Sequence, residues 1–333
     1  MLLNYIVKRT LQMIPMLFAV SAMIFFVIQL PPGDFLTTWI LQQEMAGVFV
    51  EEGTIENMIR TFGLDRSPIE QYFFWISNII FRGDFGWSFQ FGQPVSVLIG
   101  ERIGWTMLIS LTTLLVSFMI AIPVGIYAAT HQYSKGDYIV AFVGFIGMAV
   151  PGFLLALIMV YLIFVNTGVA FVGMFSLEFA DAPWSFARLM NMLPRFGLAV
   201  AIIGLTGTAG TIRTMRAMTL DELEKQYVTT ARAKGLAENK MLIKYPIRMA
   251  VNPIVSTIGW ALPALISGEV IVSIVLSMPT MGPLLRRAFM SQDMFLAGSL
   301  MLFAAVLSVI GTLVSDVLLS ILDPRIKFGG VGE

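Results

Sequence analysis

Residues 103–130 read IGWTMLISLTTLLVSFMIAIPVGIYAAT, and from Arg102 to Lys135 the chain carries no Asp, Glu, Lys or Arg between those two cations. As a helix the stretch is about 42 Å long, against a bilayer hydrocarbon core of roughly 30 Å. It predicts a membrane span. Searching outward for runs of the same kind gives Leu11–Leu30 before it, then Tyr138 to Val165, Phe196–Ile212, Pro253 to Ser277 with Glu269 inside it, and Met294 to Leu322 with Asp316 inside it. The composition agrees: 57% of the 333 residues are hydrophobic, with 26 Phe and 22 Met, and the mean hydropathy is +0.83. The expected fold class is an all-α integral membrane protein with six transmembrane helices and an exterior subdomain between the first two.

Composition also excludes chemistry. There is no Cys, so disulfides, Cys-ligated zinc, iron–sulfur clusters and thiol catalysis are out. His131 is the lone histidine, in a short polar loop, and reads as a solvated residue rather than a metal ligand. With 21 basic and 21 acidic residues nothing global points to nucleic acid. Gly83-Asp84-Phe85-Gly86 spells the kinase magnesium motif, but no Gly-rich nucleotide loop or HRD segment accompanies it, so the match is chance. No Ser–His pair or zinc constellation supports an intramembrane enzyme.

Lysine and arginine choose the orientation. The N-terminus, the 131–137 loop, the 213–252 loop and the tail hold 13 of them, and the opposite segments, though longer, hold 8. The richer side is expected to be cytoplasmic, with both termini inside. The first span is preceded by Lys8 and Arg9 but is too long for a signal peptide, and Pro31–Asp34 (PPGD) follows instead of a cleavage site. The expected organisation is therefore 1–30 as anchor and first helix, 31–102 as a periplasmic subdomain, 103–323 as the core with a cytoplasmic loop at 213–252, and 324–333 as a cytoplasmic tail. Within the exterior part, Gly53–Arg60 and Ile69–Phe81 have helical periodicity, punctuated by Gly63, Pro68, Gly83, Gly86 and Pro94.

Pro15, Pro123, Pro151 and Pro263 fall inside spans and predict kinks. Gly204, Gly207, Ala209, Gly210 and Thr211 on the fourth span predict close helix packing.

The basic segment 227-YVTTARAKGLAENKMLIKYPIR-248 lies between two runs almost without charge. It reads as helix, break, helix. Asp221, Glu222 and Glu224 are placed near the start of the first helix and Arg232 and Lys234 near its end, the order that the helix dipole favours. Gly235 is placed at the left-handed C′ position, with Leu236 as the apolar residue after it. Leu236, Met241, Leu242 and Tyr245 line one side of a second, shorter helix that Pro246 disturbs, and Asn252 and Pro253 open the fifth span. A lipid-facing loop would account for the charge; a capped two-helix unit with an apolar knob beside Gly235 favours protein docking.

This segment resembles the EAA-type loop of ABC importer permeases, in the form carried by the dipeptide/oligopeptide family, at Tyr227 through Leu236. PPGD, Gly63-Leu64-Asp65, Gly83–Gly86, Pro94-Val95 with Glu101-Arg102, Pro151, Gly268 and Asp323-Pro324-Arg325 extend the resemblance over nearly the whole chain. Thr229 stands where the general motif is acidic, Tyr245-Pro246-Ile247-Arg248 where it ends in I-x-L-P, and Ser273 and Thr280 where the family has an acidic residue and a Gly. The resemblance implies the type I importer permease fold, forming half of a pathway for peptides. It implies a second homologous permease subunit, two cytoplasmic ATPase subunits and an external solute-binding protein as partners, in a bacterial inner membrane. It makes Thr229, Thr230, Ala231, Arg232, Ala233, Lys234, Gly235 and Leu236 the ATPase-coupling residues. No G-x-x-x-x-G-K-[ST] occurs, so ATP and magnesium belong to the partners and the chain itself needs no cofactor.

Candidate pathway and gate residues are Glu269, Pro279, Met281 and Gly282. Ser277-Met278-Pro279-Thr280-Met281-Gly282-Pro283 is expected to form a re-entrant turn, since its prolines and glycine do not continue a helix. A secondary transporter or channel using Glu269 and Asp316 is the rival of a different class. Against it, Glu269 lies near the outer end of its span and Asp316 near the inner end, where Arg325 or Lys327 could pair with it. Related permeases carry peptides, nickel complexes or oligosaccharides. Trp184, Trp260, Tyr161 and Phe164 are the aromatics a sugar would stack on.

Overall fold

The computed structural model describes residues 2–30, 35–45, 47–63 and 65–322. Pro31–Asp34, Leu64 and Asp323-Pro324-Arg325 with Lys327 lie outside the described residues, and the side chains of Trp260, Pro263 and Glu269 lie outside the described side chains. The chain folds as two compact units.

One unit runs from Thr10 to Trp105 and takes in Thr280–Leu307. It holds most of α1 (Leu2–Ile28), then α2 (Phe35–Met45), α3 (Glu52–Phe62), α4 (Pro68–Arg82), the hairpin β1 (Trp87–Ser88) and β2 (Gln93–Pro94), and the start of α5 (Val95–Thr130). The helical periodicity at Gly53–Arg60 and Ile69–Phe81 corresponds to α3 and α4. Their ends follow from local chemistry: Gly63 and Gly83 close them at φ +65° and +64°, while Ser67 and Glu70 form a reciprocal capping box with Pro68 in the first turn. The backbone and hydroxyl of Ser67 hold the Glu70 carboxyl below its usual range. Tyr72, Trp75 and Ile76 of α4 pack with Phe25, Leu98, Leu296 and Leu300. Trp75 stacks on Phe25 with centroids 5.6 Å apart, and a Cβ at Gly298 would stand 3.4 Å from its ring.

A buried carboxylate ties this unit together. Asp293, fully buried, accepts from Ser88 Oγ (2.6 Å), the Gln90 N–H (3.3 Å) and the Leu296 N–H (3.1 Å). It thus caps α14 (Met294–Leu322) and anchors the hairpin at once. Burial raises its pKa, and the hydrogen bonds oppose that shift.

The other unit comprises Thr106–Pro279, the first residues through Arg9, and α14 from Ser308 onward. The stretch expected as one span from Tyr138 to Val165 is two helices, α6 (Lys135–Ala149) and α7 (Gly152–Thr167), meeting at 100°. Pro151 is the cause: it has no N–H to donate, and Val150 before it is extended (φ −88°, ψ 121°). Beyond these come α8 (Phe186–Leu223), α9 (Gln226–Ala233), α10 (Glu238–Lys244), α11 (Pro246–Ala250) and α12 (Asn252–Val275), with α13 (Met281–Met290) belonging to the first unit described. Among the described residues four helices are long and apolar enough to cross a membrane, and the bent α6–α7 pair makes a fifth candidate.

Close packing centres on α8. A Cβ at Gly125 would stand 2.6 Å from Met215 Cβ, and one at Gly204 3.2 Å from both Ser117 Oγ and Thr113 Cγ2, so these glycines are the contact points of α5 with α8. Hydroxyls satisfy each other there, Thr208 Oγ1 donating to Ser117 Oγ at 2.9 Å. Asp137 of α6, buried, takes a bidentate ion pair from Arg216 of α8 at 2.7 and 2.8 Å. Asp316 is held by Arg9 Nε at 2.9 Å, across α14 and α1; Arg325 and Lys327, the partners expected from sequence, lie outside the described residues. That pairing gives Asp316 a structural role.

Candidate functional site

The basic segment is a compact two-helix unit, built differently at its entrance than the charge order suggested. Asp221 and Glu222 belong to the last turn of α8, and Glu224 is its C-cap. The first loop helix, α9, starts only at Gln226 after Lys225, so the acidic residues do not lie on it. Tyr227 reaches back to hydrogen-bond the Glu222 carboxylate, and partial burial together with that carboxylate raises its phenol pKa.

The exit from α9 is a Schellman turn. Gly235 sits at φ +74°, its N–H bonding Arg232 O at 2.9 Å, and the Leu236 N–H bonds Ala231 O at 3.3 Å. Leu236 is not a protruding knob. It is half-buried against the cluster of Val228, Ala231 and Met241, on which Leu242 and Tyr245 also pack, and so helps fasten α10 onto α9. What faces outward is the polar side of α9, with Thr229, Thr230, Arg232, Ala233, Lys234 and Gly235 all exposed. Arg232 spans the turn to Glu238 with two bonds, at 2.6 and 3.2 Å, which hold the Glu238 carboxyl below its usual range.

A second feature is a cavity of about 590 Å³ walled by α5, α8 and α12. Thr206, Gly207, Gly210, Thr211 and Thr214 supply the α8 wall, Ile254, Thr257 and Ala261 the α12 wall, and Leu114, Ser117 and Phe118 the α5 wall. The small-residue run on α8 therefore splits in two. Gly204 and Ala209 pack closely, as expected, but Gly207 and Gly210 have nothing within 4 Å of a built Cβ and face open space. Every described lining group is neutral, and hydroxyls provide their polarity.

The proposed gate residues lie elsewhere. The helix is interrupted here, but only over Leu276–Thr280: Met281 and Gly282 are the first residues of α13, with Pro283 in its first turn, where a missing N–H costs nothing. Both are buried, Met281 within the core of its unit. Pro279 lies in the short link between α12 and α13, after Ser277 at φ +50°. Glu269 is on α12, its side chain undescribed. Trp184, offered as a stacking surface, already carries the Arg188 guanidinium 4.8 Å from its centroid. The ring of Phe175 carries the same guanidinium at 4.4 Å.

Sequence reasoning missed the Asp137–Arg216 pair and the cavity. The pair had one weak signal: Arg216 is a charge one turn beyond an uncharged run and Asp137 a charge directly before another.

The family model described as "Binding-protein-dependent transport system inner membrane component" matches residues 121–328, and the model of its N-terminal part matches residues 2–112. The chain belongs to this family. It is 35% identical over 328 residues to an oligopeptide transport system permease protein of Bacillus subtilis, covering 97% of this chain and 99% of that one. It is also 31% identical to a putative peptide transport system permease protein of Brucella melitensis, covering 98% and 100%, and 27% identical to an oligopeptide transport system permease protein of Haemophilus influenzae, again covering 98% and 100%. This permease is thus a multi-pass membrane subunit of an ABC importer and not an enzyme; it works with ATPase and solute-binding partners.

Proposed function

We propose that the permease forms half of a peptide uptake pathway with a second, homologous permease, and that two ATPase subunits drive it through the α9–α10 unit. Six crossings, with α6–α7 and α12 among them, and both termini in the cytoplasm complete the reading. The observation that carries it is the exposed, rigidly closed α9 surface. Its Schellman turn, its core of Val228, Ala231 and Met241 and the Arg232–Glu238 clasp fix a shape in a segment whose charge alone would serve a lipid surface. Shape is what a protein groove reads. The relatives named for peptide transport support the substrate class, and the hydroxyl-bearing cavity, whose described lining is neutral, suits a pathway that passes side chains of varied chemistry.

The test is reconstitution of the permease with its partners in vesicles, with labelled di- and oligopeptides and a labelled oligosaccharide offered through the cognate binding protein. ATP-dependent peptide accumulation is the expected result. Oligosaccharide uptake without peptide uptake would replace the substrate class, and uptake by the permease alone without ATP would return the reading to an ion-coupled carrier.

A further inference from the structure

A groove of about 320 Å³ runs between α6 and α8, apart from the larger cavity. Its floor is apolar, with Gly144, Phe145 and Met148 on α6 facing Ala209 and Ile212 on α8, and its mouth holds Tyr138, Arg213 and the Asp137–Arg216 pair. From Asp137 to Met148 it extends about 16 Å at 1.5 Å per residue. The helix face beside it is apolar and uncovered: Ile139, Phe142 and Ile146 are 62%, 66% and 47% exposed. In a membrane subunit such a face meets hydrocarbon.

The charges at the mouth do not cancel. Asp137 is fully used by Arg216, which takes both its carboxylate oxygens. Arg213, one turn away at the edge of the uncharged run 196–212, is exposed and makes no hydrogen bond or ion pair among the described residues. A guanidinium at headgroup depth above an apolar groove is complementary to a phosphodiester carrying a hydrocarbon tail. A water-soluble ligand would find no polar partner along the floor. Gly144 makes room for the tail, since a Cβ built there meets nothing within 4 Å.

We propose that this groove binds an anionic phospholipid, with the phosphate on Arg213 and one acyl chain laid over Gly144 between α6 and α8. Zwitterionic lipid has the same phosphate but leaves the excess charge of Arg213 uncompensated, so the site prefers a net negative headgroup. On the orientation proposed above, the site lies in the cytoplasmic leaflet, where it would clip the start of α6 to the segment that leads into α9.

The experiment is native mass spectrometry of the purified transporter complex carrying wild-type permease, Arg213→Gln or Gly144→Leu. Each is incubated with phosphatidylglycerol, phosphatidylcholine or inorganic phosphate. Wild type is expected to retain phosphatidylglycerol over phosphatidylcholine, and Arg213→Gln to reduce that retention by about five-fold, toward the phosphatidylcholine level. Gly144→Leu, which fills the groove on a helix that tolerates Leu better than Gly, is expected to lose both lipids. Unchanged retention in both variants would overturn the site. Displacement of phosphatidylglycerol by inorganic phosphate would show a free-anion site instead, and absence of any retained lipid on the complex would show that another subunit covers the groove.

Discussion

Arg232 and Glu238 face each other across the Gly235 turn, joined by Nη2–Oε1 at 2.6 Å and Nε–Oε2 at 3.2 Å. The pair is half-exposed at each end and so contributes little to overall stability, yet it restricts the angle between α9 and α10. Gly235 determines that the turn forms at all, because only its backbone supports φ +74° without strain.

Gly235→Val separates shape from charge. A Cβ there meets no neighbour, so the whole penalty is conformational, on the order of 1–2 kcal/mol, and falls on the turn rather than on the core. The variant is expected to reach the membrane in normal amount but to lose ATPase co-purification or coupled uptake. Lys234→Glu, which reverses an exposed charge at the C-cap of α9 and leaves both the Gly235 turn and the Arg232–Glu238 clasp in place, is expected to be milder. Full transport by Gly235→Val would return the segment to the lipid surface.

Asp137→Asn should be the most destabilising single charge change in its unit. It removes the counter-charge of Arg216 and leaves one neutral acceptor oxygen in place of two charged ones, a loss of about 2–3 kcal/mol, at the low side for a buried pair because the Arg216 side chain is 31% exposed. Thermal unfolding of the purified permease would register it as a lowered midpoint. The exchange Asp137→Arg with Arg216→Asp should recover part of the loss, and an Asn variant as stable as wild type would remove the pair from the account of the fold.

Orientation is read by fusion. A reporter active only outside the cytoplasm is expected to be active after Thr54 and inactive after Glu238. The opposite pattern would reverse the assignment drawn from the 13 and 8 basic residues on the two sides.

The legible parts of this molecule were those that local chemistry decides. Gly63, Gly83 and Gly235 all terminate helices at positive φ, and Pro151 breaks its span. What sequence could not place were features set by neighbours. Gly282 and Pro283 look like helix breakers but occupy the first turn of α13, where neither is costly, and that start is buried by the packing of the whole unit. Leu236 looks like a free apolar knob in the sequence because its partners, Val228 and Met241, become a core only once the turn has closed. Asp316 meets Arg9, 307 positions away, a pairing that no local pattern signals. The α8 glycines carry one pattern, and only the neighbouring helices decide that Gly204 is a contact while Gly207 is a wall.

That last distinction gives the sharpest test of the pathway. Gly204→Leu would drive a side chain into Ser117 and Thr113, which a Cβ alone already approaches at 3.2 Å. Overpacking of this kind costs about 1–3 kcal/mol or more, so the variant should be poorly folded and low in abundance. Gly207→Leu lies one helical turn away and meets no atom within 4 Å; its side chain projects into the cavity walled by Thr206, Thr211 and Thr257. Leu is also the better helix former there, by about 0.8 kcal/mol. Gly207→Leu should therefore accumulate normally, assemble with its ATPase partners and hydrolyse ATP, while ATP-driven peptide uptake falls steeply. Wild-type uptake by Gly207→Leu in an intact complex would mean that the cavity lies off the route the solute takes.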